Sequence, residues 1–411
     1  MNLHSPFEQR RLSAGLILAW LLASWVAPLD GGEPAPAGTG PSAEVQKREQ
    51  LWANAQKLSE QFKWAEAITA GEQVLTIDRA AGSASADKGG DTLIWLGNCE
   101  LGRDGFAAAE QRFLEAQELW TFQYGADDWR VADARRSLAH TRLVAGLDRK
   151  SLDEYHEACR AAARAVKLFE AGKYADALAL VKGYAPIRKR LLGPTSVDYA
   201  SSLNFLGMLH KYLGDYAAAE PLYRQAMEIH KQASGTSHPN YASTLHNLAR
   251  LYQDLGKPGL AVPLLVEALA TQKRAQGDAH ADYAMVANTL ATCYQAMGEY
   301  AKAEPLFRQS LEIRKKTLGE KHAHYASSIS NLASLYDDMG DYKRSEPLYR
   351  QALEITRQAL GTTHPSYALS LNNLAMFYHR TGAYRRAEPL YLEALAIKKN
   401  TLGERHRDYA I

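Results

Sequence analysis

Histidine recurs at one constant spacing, at His238, His280, His322, His364 and His406. A regular histidine column invites a metal reading. Zinc, however, gathers its ligands at about 2 Å. In a helical repeat, equivalent positions are separated by two helix packings of roughly 8–10 Å each, so one ion cannot reach three of them. The column is expected to close turns by hydrogen bonding. His322-Ala-His324 has no third ligand nearby in sequence. No metal or other cofactor is expected.

Nucleophiles and acids give no catalyst either. Cys99 and Cys293 share a column with Leu251 and Leu335, a core position where a free thiol behaves as a small hydrophobe. Cys159 stands alone, and three distant cysteines form neither a CxxC pair nor a disulfide framework. The pairs Asp337-Asp338 and Asp127-Asp128 are expected on solvated helix ends or turns. Glu220, Glu304, Glu346 and Glu388 fall near helix N-termini, where negative charge suits the dipole. Arg188-Lys-Arg190 and Arg314-Lys-Lys316 are expected to be solvated at helix ends. A net charge of +2 gives no electrostatic case for nucleic acid. The chain reads as non-enzymatic.

One polar column carries a better functional case. It holds Asn204, His246, Asn288, Ser330 and Asn372, followed one residue later by Asn247, Asn331 and Asn373. Four positions beyond the first set come Arg250 and Ser334, with Met208, Thr292 and Met376 in the same column. Asparagine has modest helix propensity, so its recurrence in a helix asks for a reason. One reading is a ladder of amides that hydrogen-bonds an extended peptide. The other is that the amides bond only to the neighbouring helix.

The elements that must position this column follow from the period. Tyr199, Tyr241, Tyr283, Tyr325, Tyr367 and Tyr409 open successive units of equal length, with no drift. A fixed period of this size means stacked supersecondary units. Leu371, Leu374, Ala375 and Tyr378 have the spacing of a helix face, as do Ala387, Leu390, Tyr391, Ala394 and Leu395. Gly382 separates the two helices and Gly403 closes the unit. Pro389 lies early in the second helix, where a missing N–H is best tolerated. Small residues recur where the helices would cross, as in Ala375 with Ala387 and Ala333 with Ser345. Each hairpin has more apolar surface than it can bury alone, so it must stack on its neighbours.

The pattern Leu-x-Asn-Leu-Ala-x-x-Tyr, Gly-x-Tyr-x-x-Ala-Glu-Pro-Leu-Tyr, Ala-Leu-x-Ile and Leu-Gly-x-x-His-Pro resembles the long tetratricopeptide repeats of kinesin light chains, over residues 199–409. The resemblance implies an all-α, right-handed superhelical solenoid of stacked helical hairpins, whose first helices line a concave groove. It also implies that the motif asparagines, here Asn247, Asn373 and, with isoleucine replacing leucine, Asn331, face a protein or peptide ligand. Phe205 and Thr289 depart from the motif.

Three regions are expected. Residues 1–44 combine Arg10-Arg11, an uncharged run over 12–27 and a Gly/Pro/Ala-rich linker. They read as an export signal or an uncleaved membrane anchor, placing the protein in an extracytoplasmic compartment or on the membrane. Residues 45–156 hold degenerate hairpins in the same period, opening near 47, 89 and 131. Residues 157–411 hold the regular array, which stops inside a unit at Ile411. The step from 131 to 157 is well short of a full unit, and predicts an irregular joint in which Ser151–Ala171 partners both the helix before it and the helix after it. The expected function is a non-catalytic protein-interaction scaffold. Two rivals stand beside it. The layout resembles repeat regions of bacterial proteins that carry a caspase-like CHAT peptidase domain further along. End-to-end self-association through an uncapped last repeat is the other.

Overall fold

The computed structural model describes residues 43–82 and 86–402. The expected signal or anchor over 12–27 and the incomplete last unit, with Gly403, His406 and Tyr409, lie outside the described residues. Every regular element described is an α-helix: α1 (Ala43–Glu60), α2 (Trp64–Ala80), α3 (Ala86–Gly102), α4 (Phe106–Tyr124), α5 (Trp129–Ala145), α6 (Arg149–Glu170), α7 (Tyr174–Leu192), α8 (Val197–Tyr212), α9 (Tyr216–Ser234), α10 (Pro239–Asp254), α11 (Pro258–Gln276), α12 (Ala281–Ala296), α13 (Tyr300–Leu318), α14 (Ala323–Asp338), α15 (Tyr342–Leu360), α16 (Pro365–Arg380) and α17 (Tyr384–Leu402). The fold is an all-α solenoid of stacked helical hairpins. The described chain forms two compact units, 43–247 and 248–402, the division falling inside α10.

The hairpin turns follow from local chemistry. At the end of α12, Gly298 takes φ +76°, its N–H donates to Gln295 O at 3.0 Å, and Glu299 N–H donates to Tyr294 O at 2.9 Å. This pair of bonds, with glycine in the left-handed region, is a Schellman stop that satisfies carbonyls the helix leaves over. A side chain at Gly298 would meet no neighbour within 4 Å, so the backbone conformation and not space requires glycine here.

In unit 248–402 the core repeats. Ala291, Ala303, Phe307, Leu332, Leu335 and Tyr336 form one buried cluster across α12, α13 and α14. Ala333, Tyr349, Leu374, Phe377 and Tyr378 repeat five of these one unit later and cluster with Ala387, Ser345 standing where Ala303 does. The expected small-residue crossing is present: Ser345 Oγ donates to Ala333 O at 2.9 Å, and both residues are fully buried.

In unit 43–247 one cluster runs from Trp52 to Leu192. Here bulky aromatics meet glycines. A Cβ placed on Gly97 would lie 2.6 Å from the Phe113 ring, so α3 and α4 approach closely only because Gly97 has none. Arg48 pairs with Asp78 at 2.6 Å in the interior, and Thr92 Oγ1 donates to the same carboxylate at 2.8 Å. The joint is irregular, but the segment expected to partner the helices on both sides pairs with the following one. α5 packs on α4 and touches α7 and α9, while α6, 22 residues long, forms its hairpin with α7. Asp148 caps α6 by accepting from Ser151 N–H at 2.8 Å.

The expectation of export or membrane anchoring is corrected: no helix among the described residues is long and apolar enough to cross a membrane.

The crossings give a stability prediction. Ala303 is fully buried beside Ala291. Ala303→Leu should overpack that crossing and cost roughly 1–3 kcal/mol. A thermal melt should show a lower transition, and a melt superimposable on that of the parent would refute the crossing as drawn.

Candidate functional site

The histidine column sits in the turns between hairpins. His280 Nδ1 accepts from Asp282 N–H at 3.1 Å, His322 from His324 N–H at 3.1 Å and His364 from Ser366 N–H at 3.0 Å. His238 does the same for Asn240 N–H at 3.0 Å. Each ring therefore caps the helix that opens the next unit, in the role usually taken by Ser or Asp. No group of three or more His, Cys, Asp or Glu among the described residues is placed to hold a metal ion. The three cysteines are free, with Cys99 and Cys293 in the core.

The amide column divides by burial. Asn204, His246 and Asn247 belong to unit 43–247. Asn204 is buried, and its Oδ1 accepts from Asn247 Nδ2 at 3.1 Å. Arg250, Asn288, Asn331, Ser334, Asn372 and Asn373 belong to unit 248–402. Asn288 is buried, and its Oδ1 accepts from Asn331 Nδ2 at 3.0 Å. The same offset joins both pairs, one from each unit. One repeat on, the partner position holds the buried, shorter Ser330, and the Asn373 side chain makes no hydrogen bond among the described residues. Ser334 Oγ accepts from Gln295 Nε2 at 3.1 Å, and Asn372 Nδ2 points to Met376 Sδ at 3.4 Å. His246 and Arg250 are both buried. Thus Asn247, Asn331, Asn372, Asn373 and Ser334 are half-buried, whereas Asn204, His246, Arg250 and Asn288 lie in the interior.

Two expectations about charge are overturned. Asp337 is not solvated: it is 5% exposed and pairs with Arg380, which also donates to Asp338 at 3.1 Å. Arg188 and Arg314, three repeats apart, are each 5% exposed. Arg314 Nη1 donates to His324 O at 3.1 Å and Ser328 Oγ at 2.9 Å. Arg188 makes the equivalent pair, to Asp198 O at 3.4 Å and Ser202 Oγ at 3.2 Å. Position at a helix end implies solvent only when no next helix covers that end, and here one does.

A further ladder went unread in the sequence. Tyr336 donates to Glu304 at 2.8 Å, and Arg344 lies 3.9 Å from the Tyr336 ring centre. One repeat on, Tyr378 donates to Glu346 at 2.9 Å, and Arg386 lies 3.9 Å from the Tyr378 ring centre. The Tyr336 hydroxyl, helped by Arg308 and opposed by burial, holds the Glu304 carboxyl below its usual range. Glu304 and Glu346 thus tie consecutive repeats and do more than face a helix dipole. The signal was the shared period of Glu, Tyr and Arg, which no single helix reveals.

In unit 43–247, His238 also faces Asp133 at 3.5 Å and lies edge-on to Trp129, ring centroids 5.2 Å apart. Burial pushes Asp133 up, but Arg136 and His238 outweigh it and hold the carboxyl at about 2. His230 is fully buried, and burial, with the charges of His238 and Arg136, lowers its pKa to about 3. An unfolded histidine titrates at about 6.5. The folded pKa is depressed, so the unfolded state takes up the proton more readily. The stability this contributes is complete above about pH 6.5 and is lost as pH falls from there toward 3. His230→Gln places there the residue that Gln272 supplies one repeat later. Its melting temperature should fall less steeply than that of the parent between about pH 6.5 and 4.5, and parallel curves would contradict the assignment.

Comparison with known proteins adds the family. The tetratricopeptide repeat model matches residues 157–232, 198–274, 282–358 and 325–400, together more than half of the chain. The search of curated proteins found no match. Similar solved structures include a Podosopora anserina putative kinesin light chain with nearly identical TPR-like repeats, at 29% identity over 51% of this chain and 98% of that one, TM-score 0.43. Another is BtubC (BKLC) from P. vanneervenii, at 24% identity over 57% of this chain and 92% of that one, TM-score 0.45. A Rap protein complexed with Competence and Sporulation Factor is 13% identical over 88% of this chain and 99% of that one, TM-score 0.46. Likenesses at these TM-scores carry no functional weight. The chain belongs to the tetratricopeptide repeat family, and its repeat resembles that of the kinesin light chains.

Proposed function

We propose that the chain is a non-catalytic scaffold whose first helices bind an extended peptide or a helix of another protein. The tetratricopeptide repeat fold is in general non-catalytic and is consistent with this use. The observation that carries the reading is the half-spent amide column. Asn247 and Asn331 give a donor to the preceding helix, while their Oδ1 atoms accept nothing among the described residues. Asn373 makes neither bond. A half-buried amide with unused capacity can take a backbone N–H or C=O from a ligand at little extra desolvation cost. The buried members, Asn204, Asn288, His246 and Arg250, set the orientation of the wall.

This separates binding from stability residue by residue. Asn331→Ala removes the donor to the buried Asn288 carbonyl and should cost about 1–3 kcal/mol. Asn373→Ala removes no internal bond and should leave the melt within about 0.5 kcal/mol of the parent. Capture of partner proteins from extract of the source organism, with each variant beside the parent chain, reads binding. The scaffold reading expects Asn373→Ala to lose a partner that the parent retains. A partner held equally by parent and Asn373→Ala would remove this column from the binding surface.

A further inference from the structure

Unit 43–247 carries an open cavity of about 700 Å³ at the joint between the two repeat frames. Its origin is the shortened step. In the regular repeats, the helix that opens a unit is followed by its own second helix. α5 is followed instead by α6, which pairs with α7. The far side of α5 is met only in part, by α7, α9 and the turn holding His238. The remaining space is not closed by packing, and a volume of this order is the size of a small-molecule site.

The walls are of two kinds. Phe62, Trp64, Leu101, Leu143 and Val166 supply apolar lining, with Phe62 and Trp64 edge-to-face at 5.5 Å and the charged Glu60 and Lys167 close to them in sequence. Of the other kind are Arg188, Tyr155, Cys159, His140 and Asp198. Arg188 is 5% exposed, and its Nε is buried with no hydrogen-bond partner among the described residues. Its Nη1 is spent on Asp198 O and Ser202 Oγ. The Asp198 carboxylate turns elsewhere, to His140 Nδ1 at 3.5 Å, and His140 Nε2 meets Tyr155 OH at 3.0 Å. No ion pair to Arg188 forms among the described residues. The Arg188 guanidinium, which also lies 4.9 Å from the Tyr184 ring centre, therefore keeps spare donor capacity in the wall of the cavity, and burying a charge is costly unless it is paired and hydrogen-bonded.

We propose that this cavity binds a small amphipathic carboxylate, its apolar body against Phe62, Trp64 and Val166 and its carboxylate on Arg188. The guanidinium fork is matched to a planar oxyanion. Asp198, 3.5 Å from His140 Nδ1, also lines the cavity, and a carboxylate in the same wall disfavours a dianionic phosphate more than a monoanion. The thiol of Cys159 takes no covalent part: burial raises its pKa, so it stays protonated against the ligand.

The test is calorimetric titration of the full chain with 1-naphthaleneacetate, and in parallel with 1-naphthalenemethanol and 1-naphthyl phosphate. The carboxylate should bind at least about tenfold more tightly than either, a factor near 1.4 kcal/mol. Arg188→Met should bring the carboxylate down to the level of the alcohol. Arg188 also ties α7 to α8, so Arg314→Met serves as control. It removes the equivalent two bonds at a residue that does not line the cavity, and should leave binding unchanged. Ala163, on α6, also lines the cavity, and Ala163→Phe should fill it and abolish binding while helicity is retained. No binding of any probe, equal binding of acid and alcohol, or indifference to Arg188→Met and Ala163→Phe would each overturn the proposal. Tighter binding of the phosphate would overturn the monocarboxylate assignment.

Discussion

Each hairpin depends on two helices coming close enough to share one layer of side chains. Where they cross, the chain places alanine or serine: Ala291 with Ala303, Ala333 with Ser345, Ala375 with Ala387. A larger side chain would push the second helix outward. The next first helix packs on the surface that the second helix presents, so an error at the crossing would pass along the array. The Schellman stop at Gly298 and the histidine caps fix where each helix begins and ends, but the crossing fixes its height.

Polar groups then secure a stack whose apolar contacts are alike from repeat to repeat. A surface of repeated leucines and alanines could slide by one turn with little loss. Arg314 on His324 O, Tyr336 on Glu304 and Ser345 on Ala333 O cannot, because a shift would leave buried donors and acceptors without partners. These bonds add register to a stack that apolar burial already stabilises. The amide pairs Asn247–Asn204 and Asn331–Asn288 belong to the same system and still present unused acceptor atoms.

The joint in unit 43–247 is where this logic is interrupted. α5 keeps its capped start at Asp128 and its buried face of Val131, Ala134 and Leu138, yet lacks a second helix of its own. Aromatic and charged side chains take over what alanines do elsewhere: Trp129 against His238, His140 against Tyr155, Asp133 between Arg136 and His238. Such groups are large and directional, so they hold the chain apart as well as together, and space is left between them.

In the regular repeats the sequence by itself determined the helices and their pairing into hairpins. Period, glycine and proline positions are local properties, and near-identical repeats must pack alike. The histidine turns were legible for the same reason, since a cap joins residues two apart in sequence. Burial at helix ends was not legible. Arg188, Arg314 and Asp337 carry the composition of a solvated surface, and only the helix stacked over them makes them interior. The Glu304–Tyr336–Arg344 tie spans three helices, so its members share a period without sharing a helix face. The break in phase was readable as a length of chain missing from one unit, but not as a cavity. How far α7, α9 and the His238 turn close over α5 depends on superhelical curvature, a sum of small rotations that no one repeat contains.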